Sequence, residues 1–184
     1  MMLDAKTAKP REGGASFSLA HRVMRLCWGV VWMLLASWTP PFLHRWRCFL
    51  LRLFGARIEG KCDVRGSARV WYPPNLTMKP GSILAGRVNC YNMAPIVIGK
   101  GSVVSQGAHL CAGSHDIKDP DFQLIVKPIV IGDDCWVAAE AFVGPGVTIG
   151  AGAVLGARAV AFRDLDECGV YVGNPAVKIK QRYS

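Results

Sequence analysis

Nowhere in this 184-residue chain do two cysteines stand two residues apart as CxxC. The seven present, Cys27, Cys48, Cys62, Cys90, Cys111, Cys135 and Cys168, are odd in number. Neither a disulfide framework nor a CxxC metal clip can therefore organise the fold, and reduced, mostly buried thiols in a cytosolic protein are expected. A run of about 20 apolar residues, the length a membrane-spanning helix needs, is also missing. The best candidate, residues 26–38 (LCWGVVWMLLASW), falls short of it. No small-x-small cleavage site follows; Thr39, Pro40 and Pro41 do, so a secretion signal is not expected. Acidic residues are scarce: 13 Asp and Glu stand against 22 Lys and Arg, a formal charge of +9. Such a balance favours anionic partners. The basic residues are scattered, and no helix-turn-helix, RRM or zinc-finger pattern occurs, which argues against nucleic acid. Hydrophobic residues make up 51% of the chain, which excludes a disordered polymer and suits one domain.

What is present in abundance is a six-residue step. Ile98, Val104 and Leu110 lie six apart, and Ile131, Val137, Val143, Ile149, Leu155 and Ala161 continue the step. Small residues follow the anchors: Gly99, Ser105 and Cys111, then Gly132, Ala138, Gly144, Gly150 and Gly156. A period of six places no stripe on a helix of 3.6 residues per turn. It suits a parallel β-helix, in which six residues make one short strand and one corner and three such units close a coil of about eighteen residues. Anchors stack inward, and one coil cannot bury its own face without neighbours. Ile58, Val64 and Val70, then Met78, Leu84 and Cys90, carry the pattern back toward the N-terminus, with phase breaks at residues 71–75 (WYPPN) and 94–97. The predicted organisation is a mobile tail over 1–16, a helical leader over 17–55, the β-helix over 56–170 and a C-terminal cap over 171–184.

In the leader, residues 19–38 read as a first helix and residues 41–54 as a second. The second carries an apolar stripe of Phe42, Leu43, Trp46, Phe49, Leu50, Leu53 and Phe54, with Arg45, Arg47 and Arg52 off it. Two roles fit: a cap over the open end of the coils, or a basic amphipathic surface for an anionic leaflet.

The repeat is interrupted once, by residues 116–128 (DIKDPDFQLIVKP), and His115 stands at the foot of that insertion beside Asp116. Insertions at solenoid corners often build the binding face. A zinc site of three histidines shared between subunits is not expected, because only His109 and His115 lie on the coils. General base catalysis is the alternative: an imidazole taking a proton from a sugar hydroxyl as it attacks a thioester. Asp116, another loop acid or a backbone carbonyl could orient the ring.

Residues 45–55 (RWRCFLLRLFG), 105–116 (SQGAHLCAGSHD), 128–136 (PIVIGDDCW), 142–150 (FVGPGVTIG) and 173–176 (GNPA) together resemble the hexapeptide-repeat O-acetyltransferases, above all those of colanic acid biosynthesis. The resemblance implies an all-β solenoid, a left-handed parallel β-helix with an N-terminal helical leader, assembled as a homotrimer with acetyl-CoA as donor and no metal. It implies His115 as the base with Asp116 beside it, Asn89 and Asn92 near the acceptor, and Trp136, Ala139, Ala157, Arg163 and Lys180 along the coenzyme. Phe162 and Arg163 stand where the simpler sugar acetyltransferases tend to have threonine and lysine. The galactoside enzymes lack such a leader, which points to an acceptor larger than a free sugar, such as a lipid-linked oligosaccharide. A cytoplasmic protein, peripheral at the inner leaflet of the plasma membrane, is then expected. Transfer to serine or a free sugar, and a non-catalytic solenoid scaffold, are the competing readings.

Overall fold

A computed structural model describes residues 2–183 of the chain. Short strands stack into three parallel ladders, each one face of a triangular coil. The first face comprises Arg57–Ile58, Leu76–Met78, Ile96–Ile98, Ile129–Ile131 and Thr148–Ile149. The second runs through Asp63–Val64, Ile83–Leu84, Val103–Val104, Trp136–Val137, Val154–Leu155 and Gly169–Val172. The third holds Arg69–Val70, Asn89–Tyr91, His109–Cys111, Phe142–Val143 and Val160–Ala161.

Five coils are complete, and a sixth begins at Leu165, which bridges to Ile149. The six-residue anchors point inward as the period requires: Ile98, Val104, Leu110, Val137, Val143 and Leu155 are all fully buried. Each such aliphatic side chain is worth roughly 1.5–3 kcal/mol of burial. The small residue after the first-face anchor has an equally direct cause. A Cβ on Gly99 would fall 2.2 Å from the carbonyl oxygen of Gly132, and one on Gly132 would fall 2.9 Å from that of Ile149. At this corner successive coils touch backbone to backbone.

The coil length is not uniform, and the difference is ordered. Arg57 pairs with Thr77 and Thr77 with Val97, so the first coils advance by 20 residues; Val130 pairs with Thr148, an advance of 18. Val97 pairs with Val130, so the third coil advances by 33. All the additional residues lie where the third face turns into the first. The phase breaks at 71–75 and 94–97 are thus smaller versions of the insertion that follows His115, stacked beneath it at one corner.

Before the coils come α1 (Ala5–Ala8), α2 (Leu19–Leu35) and α3 (His44–Leu53). Residues 2–16, expected to be a mobile tail, instead fold as α1 and a 3-10 turn over Pro10–Glu12, with Leu3 N–H donating to Ser16 O. α3 closes the open end of the first coil, but not with the stripe that hydrophobicity suggests. Its buried residues are Arg47, Cys48, Leu50 and Leu51. Arg47, expected off the packing face, is 0% exposed. Its guanidinium donates to the carbonyls of Val64, Pro40 and Pro41, the last two at 2.9 and 2.7 Å. Arg52 donates to Ile58 O at 3.0 Å. Backbone carbonyls of the first coil and of the turn at 39–41 need donors, so Arg47 turns inward and Arg52, itself exposed, reaches Ile58 O, while Phe42, Phe49 and Leu53 face out. At the other end, Val177–Gln181 pairs antiparallel with Gly169–Val172 and covers the last coil.

Candidate active site

The insertion at the third-to-first corner is a hairpin. Gly113–His115 pairs antiparallel with Leu124–Val126, and His115 lies opposite Leu124. The turn is held by its own aspartates. Asp116 Oδ1 accepts from Lys118 N–H at 2.9 Å, and Asp119 Oδ1 from Asp121 N–H at 2.8 Å. These are Asx turns, the ordinary use of aspartate in a loop. They also correct one expectation: the Asp116 carboxylate is directed to the loop backbone, and nothing places it on the imidazole.

The group that orients His115 is the backbone carbonyl of Phe122. It lies 2.9 Å from Nδ1. A carbonyl only accepts, so Nδ1 carries the proton and Nε2 presents a lone pair. The two rings stack at 4.3 Å with 10° between their planes. Phe122 has a φ of +54°, the left-handed region that turns its carbonyl back toward the histidine. The imidazole is exposed to solvent on its remaining side. The folded N-terminal segment supports this arrangement from behind: Ala5 N–H donates to Gln123 Oε1, and the Arg11 guanidinium lies 5.3 Å from the Phe122 ring centroid. Arg11, Phe122 and Gln123 carry no sequence signal of this role, because a backbone carbonyl seven residues on has no residue-type signature.

Below the hairpin the two smaller corner insertions form a platform. Asn92 accepts from Tyr72 N–H at 2.9 Å and donates to Tyr72 O at 2.8 Å, with 0% exposure. Asn75 donates to the carbonyls of Asn92 and Met93. Asn92, expected near an acceptor, therefore has its amide committed to the corner beneath the site. Asn89 is different: it lies half-buried on the third face, and its amide faces His109 Nε2 at 3.2 Å. His109 sits on a third-face strand and His115 on the hairpin outside the coil, so the two do not occupy equivalent places. Burial pushes the His109 pKa down, which keeps the ring neutral and Nε2 an acceptor.

The residues expected along the coenzyme divide between edges. Trp136 stands on the second face, 48% exposed, its Nε1–H donating to Ser105 Oγ at 2.9 Å. Ala139 and Ala157 stack at the turn from the second to the third face, where Arg158 N–H donates to Ala139 O. Arg163 lies past the end of the third face, and Lys180 on the covering strand opposite Val170. Trp136, Ala139 and Ala157 thus share one edge, and His115 stands at another, with the whole third face between them. Among the described residues no group of three or more His, Cys, Asp or Glu side chains is arranged to hold a metal.

A triangular parallel coil with one corner insertion presenting a free imidazole nitrogen defines a class, the hexapeptide-repeat transferases. The family description "Bacterial transferase hexapeptide (six repeats)" matches residues 128–161, where all three faces advance by eighteen. The chain is 46% identical over 155 residues to a protein of Escherichia coli (strain K12) named "Putative colanic acid biosynthesis acetyltransferase WcaF", covering 84% of this chain and 85% of that one. Among solved structures, a hexapeptide-repeat acetyltransferase of Vibrio cholerae O1 biovar eltor in complex with acetyl coenzyme A superposes with a TM-score of 0.82 at 22% identity, covering 93% of each chain. A galactoside acetyltransferase in complex with coenzyme A superposes with a TM-score of 0.76 at 19% identity, over 96% of this chain and 90% of that one. The protein belongs to the hexapeptide-repeat acetyltransferases, and its solenoid is the left-handed parallel β-helix of that family.

Proposed function

We propose that this protein moves an acetyl group from acetyl-CoA to a saccharide hydroxyl in the assembly of a surface polysaccharide of the colanic acid type. The observation that carries the chemistry is His115, with Nδ1 bound to Phe122 O and Nε2 free. Nε2 removes the hydroxyl proton as the oxygen attacks the thioester carbon. The tetrahedral intermediate collapses with loss of the coenzyme thiolate, and the proton held on Nε2 passes to that sulfur. No acetyl-enzyme is required. A backbone N–H of a neighbouring coil serves the oxyanion. Asn89 contacts the acceptor, and Trp136, Ala139 and Ala157 line the pantetheine path, with Arg163 and Lys180 as cations for the nucleotide phosphates.

The division of these residues between two edges supports a site shared by subunits. One face of a coil is about six residues wide, roughly 15–20 Å at strand rise, too far for one chain to bring His115 against Trp136. A threefold assembly apposes different edges of neighbours, so the active unit is a homotrimer. The acceptor is carrier-linked, and the exposed apolar faces of α2, of α3 and of the turn before it, with Leu26, Phe42, Phe49 and Leu53 outward, rest on an anionic membrane surface at the cytoplasmic side. No helix among the described residues is long and apolar enough to cross a membrane. Co-sedimentation with anionic but not neutral vesicles is the expected result for the leader.

Thiol release from acetyl-CoA in the presence of saccharide acceptors tests the transferase reading. The His115→Ala variant is expected to lose on the order of 10²–10⁴-fold in turnover while melting like the parent. Turnover retained in that variant would remove the base from His115.

A further inference from the structure

A groove of about 860 Å3 runs between α2 and the first two coils of the third face. Arg25, Trp28 and Trp32 line it from the helix, and Arg69, Trp71 and Arg87 from the coils. No aspartate or glutamate lines it, and none of the three arginines forms an ion pair among the described residues. The Arg25 guanidinium is fixed 4.2 Å from the Trp71 ring centroid, and its Nε is buried without a hydrogen-bond partner. The indole N–H groups of Trp28 and Trp32 are committed to the carbonyls of Val70 and Gly66, at 2.7 and 3.1 Å. Both rings are buried in the core, so what the groove offers is cationic donors above a firm apolar floor.

Gly29 gives an independent indication. It lies inside α2, where glycine destabilises relative to alanine. Close approach of another backbone would explain it, but a Cβ there would meet no atom within 4 Å. The space it leaves belongs to the groove, and no protein atom uses it.

We propose that this groove binds an anionic lipid ester: a diphosphate on the three guanidiniums, and the first apolar segment of its chain against Met33. Guanidinium forks match phosphate oxygens in paired hydrogen bonds. Met33 lines the groove and is also exposed, so the chain leaves toward the outward apolar face of α2 with Leu26 and Val30. Asn89 lines the groove as well, and its link to His109 leads to the coil that carries the His115 hairpin. A saccharide esterified to the diphosphate would extend along that direction. The proposal rests on the transferase reading for its purpose, but its binding is measured without turnover.

The probe is farnesyl diphosphate, titrated calorimetrically into the full chain, with inorganic diphosphate and UDP as controls. Saturable binding is expected, weaker by about tenfold in Arg69→Ala and in Arg87→Ala, and lost in Gly29→Leu, whose helix is favoured by propensity and whose melting confirms the fold. Unchanged affinity in Gly29→Leu, equal binding of inorganic diphosphate, or tighter binding of UDP would each overturn the assignment. Thiol release with saccharide acceptors separates the two readings: turnover without farnesyl diphosphate binding removes the groove alone, and binding without turnover removes the transferase alone.

Discussion

The fourth and fifth coils and the first three are built on the same inward anchors, yet only the first three carry the site's corner. Residues 128–161 advance strictly by eighteen, and the family description matches there. The lower coils take two more residues each, then fifteen more, always where the third face becomes the first. Faces admit no insertion, because one extra residue would send every following anchor to the outside. A corner admits many. The insertions of this solenoid gather at a single corner where each smaller one supports the next, and the uppermost one presents the His115 imidazole.

That comparison can be broken at its common element first. Leu155→Ala in the upper coils and Leu84→Ala in the lower coils should each cost about 2–5 kcal/mol by denaturant unfolding, since both side chains are fully buried in one stack. A much smaller cost in the lower coils would mean that their faces are not equivalent to the upper ones. Asn92→Ala tests the corner. It leaves the Tyr72 N–H without its partner, at about 1–3 kcal/mol as an upper range, while Tyr72 O keeps the Asn75 N–H, and it should lower turnover because the platform under His115 loosens. Normal turnover with a lowered melting temperature would separate the platform from the site.

The smallest effect sharpens the comparison through pH. His109 has its folded pKa pushed below the ordinary value of 6.5 by burial, and His21 by burial and then by Arg25. The unfolded chain therefore takes up these protons first. Stability from the neutral rings is complete above about pH 6.5 and falls as acidity moves toward the lowered folded values. Protonation at His109 Nε2 also breaks its link with Asn89. A modest fall in melting temperature below that pH, reduced in His109→Gln, is expected; identical profiles for parent and variant would show that His109 contributes nothing to it.

The sequence made the anchors legible because inside and outside follow a local period. It made His115 legible because a chemically apt side chain stood at the one long interruption. The α3 packing face was not legible: Arg47 goes inward for the sake of Val64 O and the carbonyls of the turn at 39–41, and hydrophobic patterning assigns no value to such a need. The resemblance put Asn92 near the acceptor; that its amide is enclosed was not legible, because the paired insertions that enclose it lie twenty residues apart. The seven cysteines, by contrast, are all free among the described residues, as their spacing suggested.

By itself the sequence determined the solenoid and the place of its one long interruption, with His115 at the foot of it, since these follow from a repeat and its break along one chain. Only the tertiary structure decided which carbonyl fixes the imidazole, that a folded N-terminal segment stands behind it, and that α2 leaves a cationic aromatic groove open against the coils. Those depend on backbone groups and on segments far apart in the chain, whose partners are chosen by stacking geometry and hydrogen-bond demand, neither of which is written in residue type.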